Sequence, residues 1–233
     1  MSTNSRIIDV GAGFLSIVFK DLKLFFADVS GLIQPVLLGL ILVFVFSLST
    51  PVGEEVSAQA AASIFWLATS FALILVFNSV YSLEETNQAR IGLLLSPVPL
   101  QTIWFSKALT GLILLLICQV FFFPAIIVFL GQENIESFLL VVGVILLVDW
   151  GLVAIGSLLG AVSQGSSARE SLLSVVIFPL LVPLLLAGIK LGSYFLGDSS
   201  VQDINAWAGI AFAFAGIFTG AAIILFPFVF REY

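Results

Sequence analysis

Few residues in this sequence can do chemistry, and their types narrow what that chemistry is. Histidine is absent, Met1 is the one methionine, and the one cysteine, Cys118, sits in an apolar run. Zinc and iron–sulfur centres draw on clusters of His or Cys, and a disulfide within the chain needs two thiols, so neither is expected. Haem iron is usually held by His, Met, Cys or Tyr. Only Tyr81, Tyr194 and Tyr233 remain in useful positions, and Tyr more commonly anchors a membrane interface. No G-x-x-x-x-G-K-[ST] loop is present to cradle nucleotide phosphates, and Gly11-Ala12-Gly13 reads as a flexible start. No catalytic residue, metal ligand or cofactor of its own is expected for this chain.

Two polar features stand out against the apolar background. Asp149 and Gln119 each lie about 11 residues from the same end of a long apolar stretch, at equal depth if those stretches cross a bilayer. An intramembrane carboxylate costs at least about 2.5–3.5 kcal/mol on insertion scales. Asp149 must therefore face the protein interior, carry a proton or find a partner, and a Gln119–Asp149 hydrogen bond is the natural pairing. It reads as a polar clamp between helices, with proton coupling or a switch as the functional alternative.

The second feature is the segment 83–106. Glu84, Glu85 and Arg90 lead, Leu93, Leu94 and Leu95 form an apolar patch, and Ser96-Pro97-Val98-Pro99 follows. Each proline biases its predecessor toward extended backbone, so a short helix should stop there and a new one begin near Gln101. A short membrane-parallel helix with an apolar face and a rigid stop suits pushing by a soluble partner; an ordinary interfacial loop is the plainer alternative. Since the chain lacks a nucleotide site, the residues Glu84, Glu85, Arg90, Leu93, Leu94, Leu95, Ser96, Pro97 and Pro99 are the expected entry point for energy from a separate partner.

The elements that must position these residues follow from composition. Of 233 residues, 61% are hydrophobic and 9% charged, against about 25% charged in a soluble domain. Lipid must be the solvent. Six stretches reach the roughly 20 apolar residues that a membrane-crossing helix needs: 31–49, 61–82, 108–130, 138–162, 171–195 and 204–230. Period-2 alternation is absent, which disfavours a barrel. The expected architecture is all-α and polytopic, a single membrane domain over 1–233.

Before the first span, residues 14–30 place Leu15, Val18, Phe19, Leu22, Phe25, Phe26 and Val29 at helical spacing, with Lys20, Asp21, Lys23 and Asp28 off that arc and Ile17 and Leu24 breaking the pattern. This predicts an amphipathic helix lying along the inner leaflet, with Gly31 as the bend into the first span. The start does not read as a cleavable signal. Pro179 and Pro183 should kink the fifth span. Gly156-x-x-x-Gly160 and Gly216-x-x-x-Gly220 permit close helix packing, within the subunit or against a second copy. Arg6, Lys20, Lys23, Arg90, Lys107, Arg169 and Arg231 fall on one side and Lys190 alone on the other, so both termini should face the cytoplasm. A net charge of −6 leaves no footprint for nucleic acid.

Taken in order, Leu83-Glu84-Glu85, Gly92-Leu93-Leu94-Leu95-Ser96-Pro97-Val98-Pro99 and Ser106-Lys107-Ala108-Leu109 resemble the loop of CcmB proteins, the haem exporter B membrane subunits of cytochrome c maturation. The leucine-rich double-proline run 171–186 is similar to that family's most recognisable segment, and Lys20-Asp21-Leu22-Lys23-Leu24 fits the wider export-permease pattern. The resemblance covers nearly the whole chain. One departure is that only Thr86–Leu95 separates Glu85 from Ser96, a shorter connection than in many members.

The resemblance implies an ABC-2-type exporter permease in a bacterial inner membrane. ATP and Mg would sit on a separate CcmA-type subunit. CcmC, CcmD, the haem chaperone CcmE and a second copy of the chain are the other implied partners. The task would be ATP-driven release of the haem-loaded chaperone, with direct haem export as the older view, and haem would be handled by the complex. A general ABC-2-type exporter of a lipid, glycan or drug is the alternative. An ATP-independent carrier or channel is a second, weakened because such proteins tend to place several polar groups at midplane.

Overall fold

The computed structural model describes residues 3–27, 30–51, 56–86, 89–132, 138–163, 167–198 and 200–231, with side chains described except at 3–10, 12, 30, 85–86, 89–90, 138, 163, 167–178 and 231. Eight helices make up the described chain: α1 (Thr3–Ala27), α2 (Ser30–Ser49), α3 (Ala58–Thr86), α4 (Ala89–Leu95), α5 (Leu100–Leu130), α6 (Phe138–Ser163), α7 (Ser167–Phe195) and α8 (Ile204–Arg231). No strand occurs among the described residues.

Five helices carry windows long and apolar enough to cross a membrane: Gly31–Ser49, Ala58–Glu84, Leu100–Leu130, Leu139–Val162 and Ile204–Phe230. α7 adds a shorter apolar stretch, Pro179–Phe195. The protein is thus a polytopic, all-helical membrane protein. Every backbone polar group in lipid must be satisfied internally, and a helix does this within one segment.

The segment before the first span is a separate helix, as expected, but its extent and orientation differ. α1 starts at Thr3 rather than residue 14 and ends at Ala27, and Gly31 lies inside α2. Ile17, Val18, Asp21 and Phe25 form its buried side, whereas Leu15, Phe19 and Phe26 are exposed and Leu22 is partly buried. The helix therefore has two apolar sides. One packs on the bundle and the other is exposed. Asp21, expected on the solvent side, falls on the packed side.

α3 and α5 form the middle of the bundle. α3 packs against α2, α5, α6 and α7, and α5 against α1, α2, α3 and α6. Both are long: 29 residues in α3 and 31 in α5 correspond to about 43 and 46 Å. This exceeds the roughly 30 Å hydrocarbon layer, so the two helices must tilt or extend beyond it. Phe65, Trp66, Leu73, Phe77, Trp104, Leu115 and Phe122 fill the space between them and their neighbours.

Small residues set the close approaches. A Cβ on Gly156 would come within 2.9 Å of the Phe77 ring, and one on Gly160 within 2.7 Å of the Tyr81 ring. That glycine pair packs inside the subunit. Gly216 and Gly220 meet nothing within 4 Å. At the far end of α5, Gly131 takes φ 68° and closes the helix by donating its N–H to the Ile127 carbonyl, a left-handed cap that glycine adopts without steric cost.

Candidate functional site

α3 and α5 are joined by the short helix α4 and a proline-rich stop. Ser96 ends α4 by turning back on it, its N–H and hydroxyl both donating to the Leu93 carbonyl at 3.2 and 2.7 Å. Pro99 has extended backbone, and its carbonyl accepts from Thr102 and Ile103 to start α5. The α5 start at Leu100 agrees with the sequence expectation near Gln101.

On α4, Leu95 is 82% exposed, Ile91 60% and Leu94 37%. Leu93 and Val98 instead pack against the core. Pro97 and Pro99 are exposed. The side chains of Glu85 and Arg90 lie outside the described residues. Val98 also reaches α1, within 3.1 Å of where a Cβ on Gly13 would stand.

Glu84 is not on that exposed surface. It lies 2% exposed at the end of α3, inside a cluster of four charges drawn from three helices. Lys107 of α5 is fully buried; its ammonium lies 3.0 Å from Asp21 Oδ2 of α1 and pairs with Glu84 Oε1. Lys20 of α1 bridges the same two acids, at 2.9 Å to Asp21 Oδ1 and 2.8 Å to Glu84 Oε1. Two cations and two anions leave the cluster formally neutral. Neutrality is what a buried ionic group needs, because an uncompensated charge there is strongly unfavourable.

The contacts of Lys107 rest on charge proximity, without aligned hydrogen bonds, and its ammonium also sits 5.3 Å from the centre of the Tyr81 ring. Such a placement over an aromatic face is attractive. The Tyr81 hydroxyl donates to the Ser157 carbonyl at 2.9 Å, with Ser157 Oγ 3.1 Å away, which extends the network to α6. Ser106 Oγ, 3.3 Å from the Phe14 carbonyl, adds a further tie between α5 and α1. At Lys20, burial works to lower the pKa. The Asp21 and Glu84 carboxylates, by charge and by hydrogen bond, together outweigh it and hold the pKa above its ordinary value.

Sequence reasoning places Glu84 in a docking surface, and uses Lys20 and Lys107 to orient the chain and within family-like motifs, without pairing them. Lys20 and Asp21 read there as the polar side of the first helix and as part of a family-like pattern, Tyr81 reads as an interfacial anchor, and Ser157 is not singled out. The available signal was Lys107 itself, a lone cation followed directly by an apolar run, which needs a carboxylate partner at the same depth.

Deeper in the bundle, the expected pairing is present. Gln119 Nε2 of α5 donates to Asp149 Oδ1 of α6 at 2.8 Å, and lies 3.4 Å from Thr69 Oγ1 of α3. All three side chains are buried. Pro179 and Pro183 lie within α7, which runs through both. Cys118 is buried in the core. Among the described residues, no group of three or more Cys, Asp or Glu side chains is placed to hold a metal ion.

The model of the family described as CcmB protein matches residues 12–232. The chain belongs to the CcmB family. CcmB is the membrane subunit of the CcmAB ABC transporter in cytochrome c maturation. It is the permease subunit, and ATPase activity lies in the partner CcmA. This agrees with a chain that has no phosphate-binding loop, and it sets aside both the general exporter and the ATP-independent carrier. No curated protein sequence matches the chain.

Proposed function

We propose that CcmA docks on α4 and the Ser96–Pro99 stop, and that the charge cluster passes its movement into the membrane. The observation carrying this reading is the contrast within one short stretch. The apolar Leu95 stands 82% exposed, while Glu84, at the root of the same connection, is locked to α1 and α5 through buried ion pairs. A push on α4 would be transmitted through the end of α3 and Lys107, so α1, α3 and α5 would move together. Glu84 then acts as a positioning residue for the contact with CcmA. Leu94, Leu95, Ile91, Pro97 and Pro99 form the contact itself, with Glu85 and Arg90 flanking it.

In this reading α4 and both termini face the cytoplasm of a bacterial inner membrane, and the exposed Leu15, Phe19 and Phe26 of α1 lie in the inner leaflet. A second copy of the chain supplies the other membrane half. CcmC, CcmD and CcmE are the proteins acted upon, and the output is release of the haem-loaded chaperone, with haem handled by the complex and not ligated by this chain. Supporting this, Tyr81 is already engaged with Ser157 and Lys107.

Leu95→Asp tests the docking surface. Exposed as it is, the residue can change without loss of packing, and CcmA should no longer co-purify. Undiminished co-purification would place the contact elsewhere. Impermeant labelling of a cysteine at Leu95 from the outside of intact cells would overturn the orientation.

A further inference from the structure

The hydrogen bond between Gln119 and Asp149 leaves half of each group unused. Gln119 Nε2 donates to Asp149 Oδ1, but Asp149 Oδ2 and Gln119 Oε1 are both buried with no partner. If the acid were ionised, these would be two acceptors and no donor. Among the described residues, no ion pair reaches Asp149; the charge cluster takes Lys20 and Lys107 for its own acids. A carboxylate would thus leave one unbalanced charge and two unmet acceptors in a site fully closed to solvent.

One proton removes all three faults. On Oδ2 it neutralises the charge, converts that oxygen to a donor and supplies the partner that Gln119 Oε1 lacks. We propose that Asp149 and Gln119 form a one-proton binding site, a carboxylic acid and a carboxamide joined by two antiparallel hydrogen bonds, Nε2–H to Oδ1 and Oδ2–H to Oε1. A proton needs no cavity, and it leaves the joint between α5 and α6 uncharged in mid-membrane. The site goes beyond a clamp, whose single observed bond requires no proton. It does not depend on where CcmA docks, so either reading can fail while the other stands.

The test uses the CcmAB complex with 13C-labelled aspartate carboxyl groups, compared by infrared spectroscopy at neutral pH in wild type and Asp149→Asn. An isotope-shifted carboxylic-acid carbonyl band is expected in wild type and lost in D149N. The D149N complex should accumulate to the wild-type level, because asparagine offers Gln119 the same donor and acceptor. Gln119→Leu should move the acid band to higher frequency as both bonds disappear. Carboxylate bands alone in wild type, a D149N complex that fails to accumulate, or an unshifted band in Q119L would each overturn the proposal.

Discussion

The two polar clusters of this bundle hang on the same central helices but are built in opposite ways. Lys107 and Gln119 are 12 residues apart on α5, about 18 Å along the axis. At Lys107, four full charges from α1, α3 and α5 balance to zero, and Lys20 keeps its side chain 33% exposed. At Gln119, an amide meets one acid and a hydroxyl, with no cation among the described partners. Half of a roughly 30 Å hydrocarbon layer is about 15 Å, so the first cluster lies near the boundary if the second is near the middle. The comparison teaches that depth selects the chemistry. Near the boundary, water and opposite charges can offset desolvation; in the middle, hydrogen bonding between uncharged groups is the less costly way to join helices.

The sharpest way to break the comparison is Lys107→Met. It leaves the buried Asp21 and Glu84 carboxylates to share Lys20 alone, one negative charge in excess, and loss of one partner from such a group costs about 3–5 kcal/mol. Thermal unfolding of the purified CcmAB complex should show this as the largest drop. Adding Glu84→Gln to the same protein should recover most of it, since Lys20 and Asp21 then remain as a balanced pair. A K107M complex that melts with the wild type would mean the cluster contributes no net stability.

Next comes Gly160→Ala, which drives a methyl group to 2.7 Å from the Tyr81 ring and should cost about 1–3 kcal/mol by overpacking. Gly216→Ala is its control. It meets nothing within 4 Å and should be neutral, or stabilising by up to about 1 kcal/mol through helix propensity. The same unfolding measurement separates them, and equal effects would contradict the packing described. Tyr81→Phe should cost less, about 0.5–1.5 kcal/mol, by removing the bond to Ser157 while keeping the ring beside Lys107.

The smallest effect belongs to Lys20. Its pKa is higher folded than unfolded, so its stabilising contribution is complete below the unfolded value of about 10.4. It is lost as pH rises through the folded value. Melting temperature should show no pH dependence from this group between about pH 7 and pH 9, where its contribution is constant, and its alkaline decline should be shallower in Lys20→Met. Superimposable alkaline limbs in the two proteins would remove Lys20 from the balance.

Much of this molecule was legible in its residue order. The spans at 31–49, 138–162 and 204–230 appear nearly as expected, because a bilayer demands long apolar helices and little else in the sequence competes. The Ser96-Pro97-Val98-Pro99 stop and the restart at Leu100 follow from local proline geometry. The Gln119–Asp149 bond was legible for a simpler reason: two polar side chains at one depth on consecutive spans have few other partners.

What the residue order did not disclose is which face each side chain turns to the protein. Leu15, Val18, Phe19, Phe25 and Phe26 fall on one apolar arc of α1, yet only Val18 and Phe25 of these are packed inward, together with Ile17 and Asp21 from outside it. In lipid, apolar exposure costs nothing, so hydrophobic periodicity no longer marks the buried side. Composition and length determined that the chain is a helical membrane subunit without a nucleotide site of its own. Only tertiary packing decided that Asp21, Glu84 and Lys107, distant in sequence, share one buried charge balance, because charges pair by proximity in space and neutrality is a property of the assembled cluster.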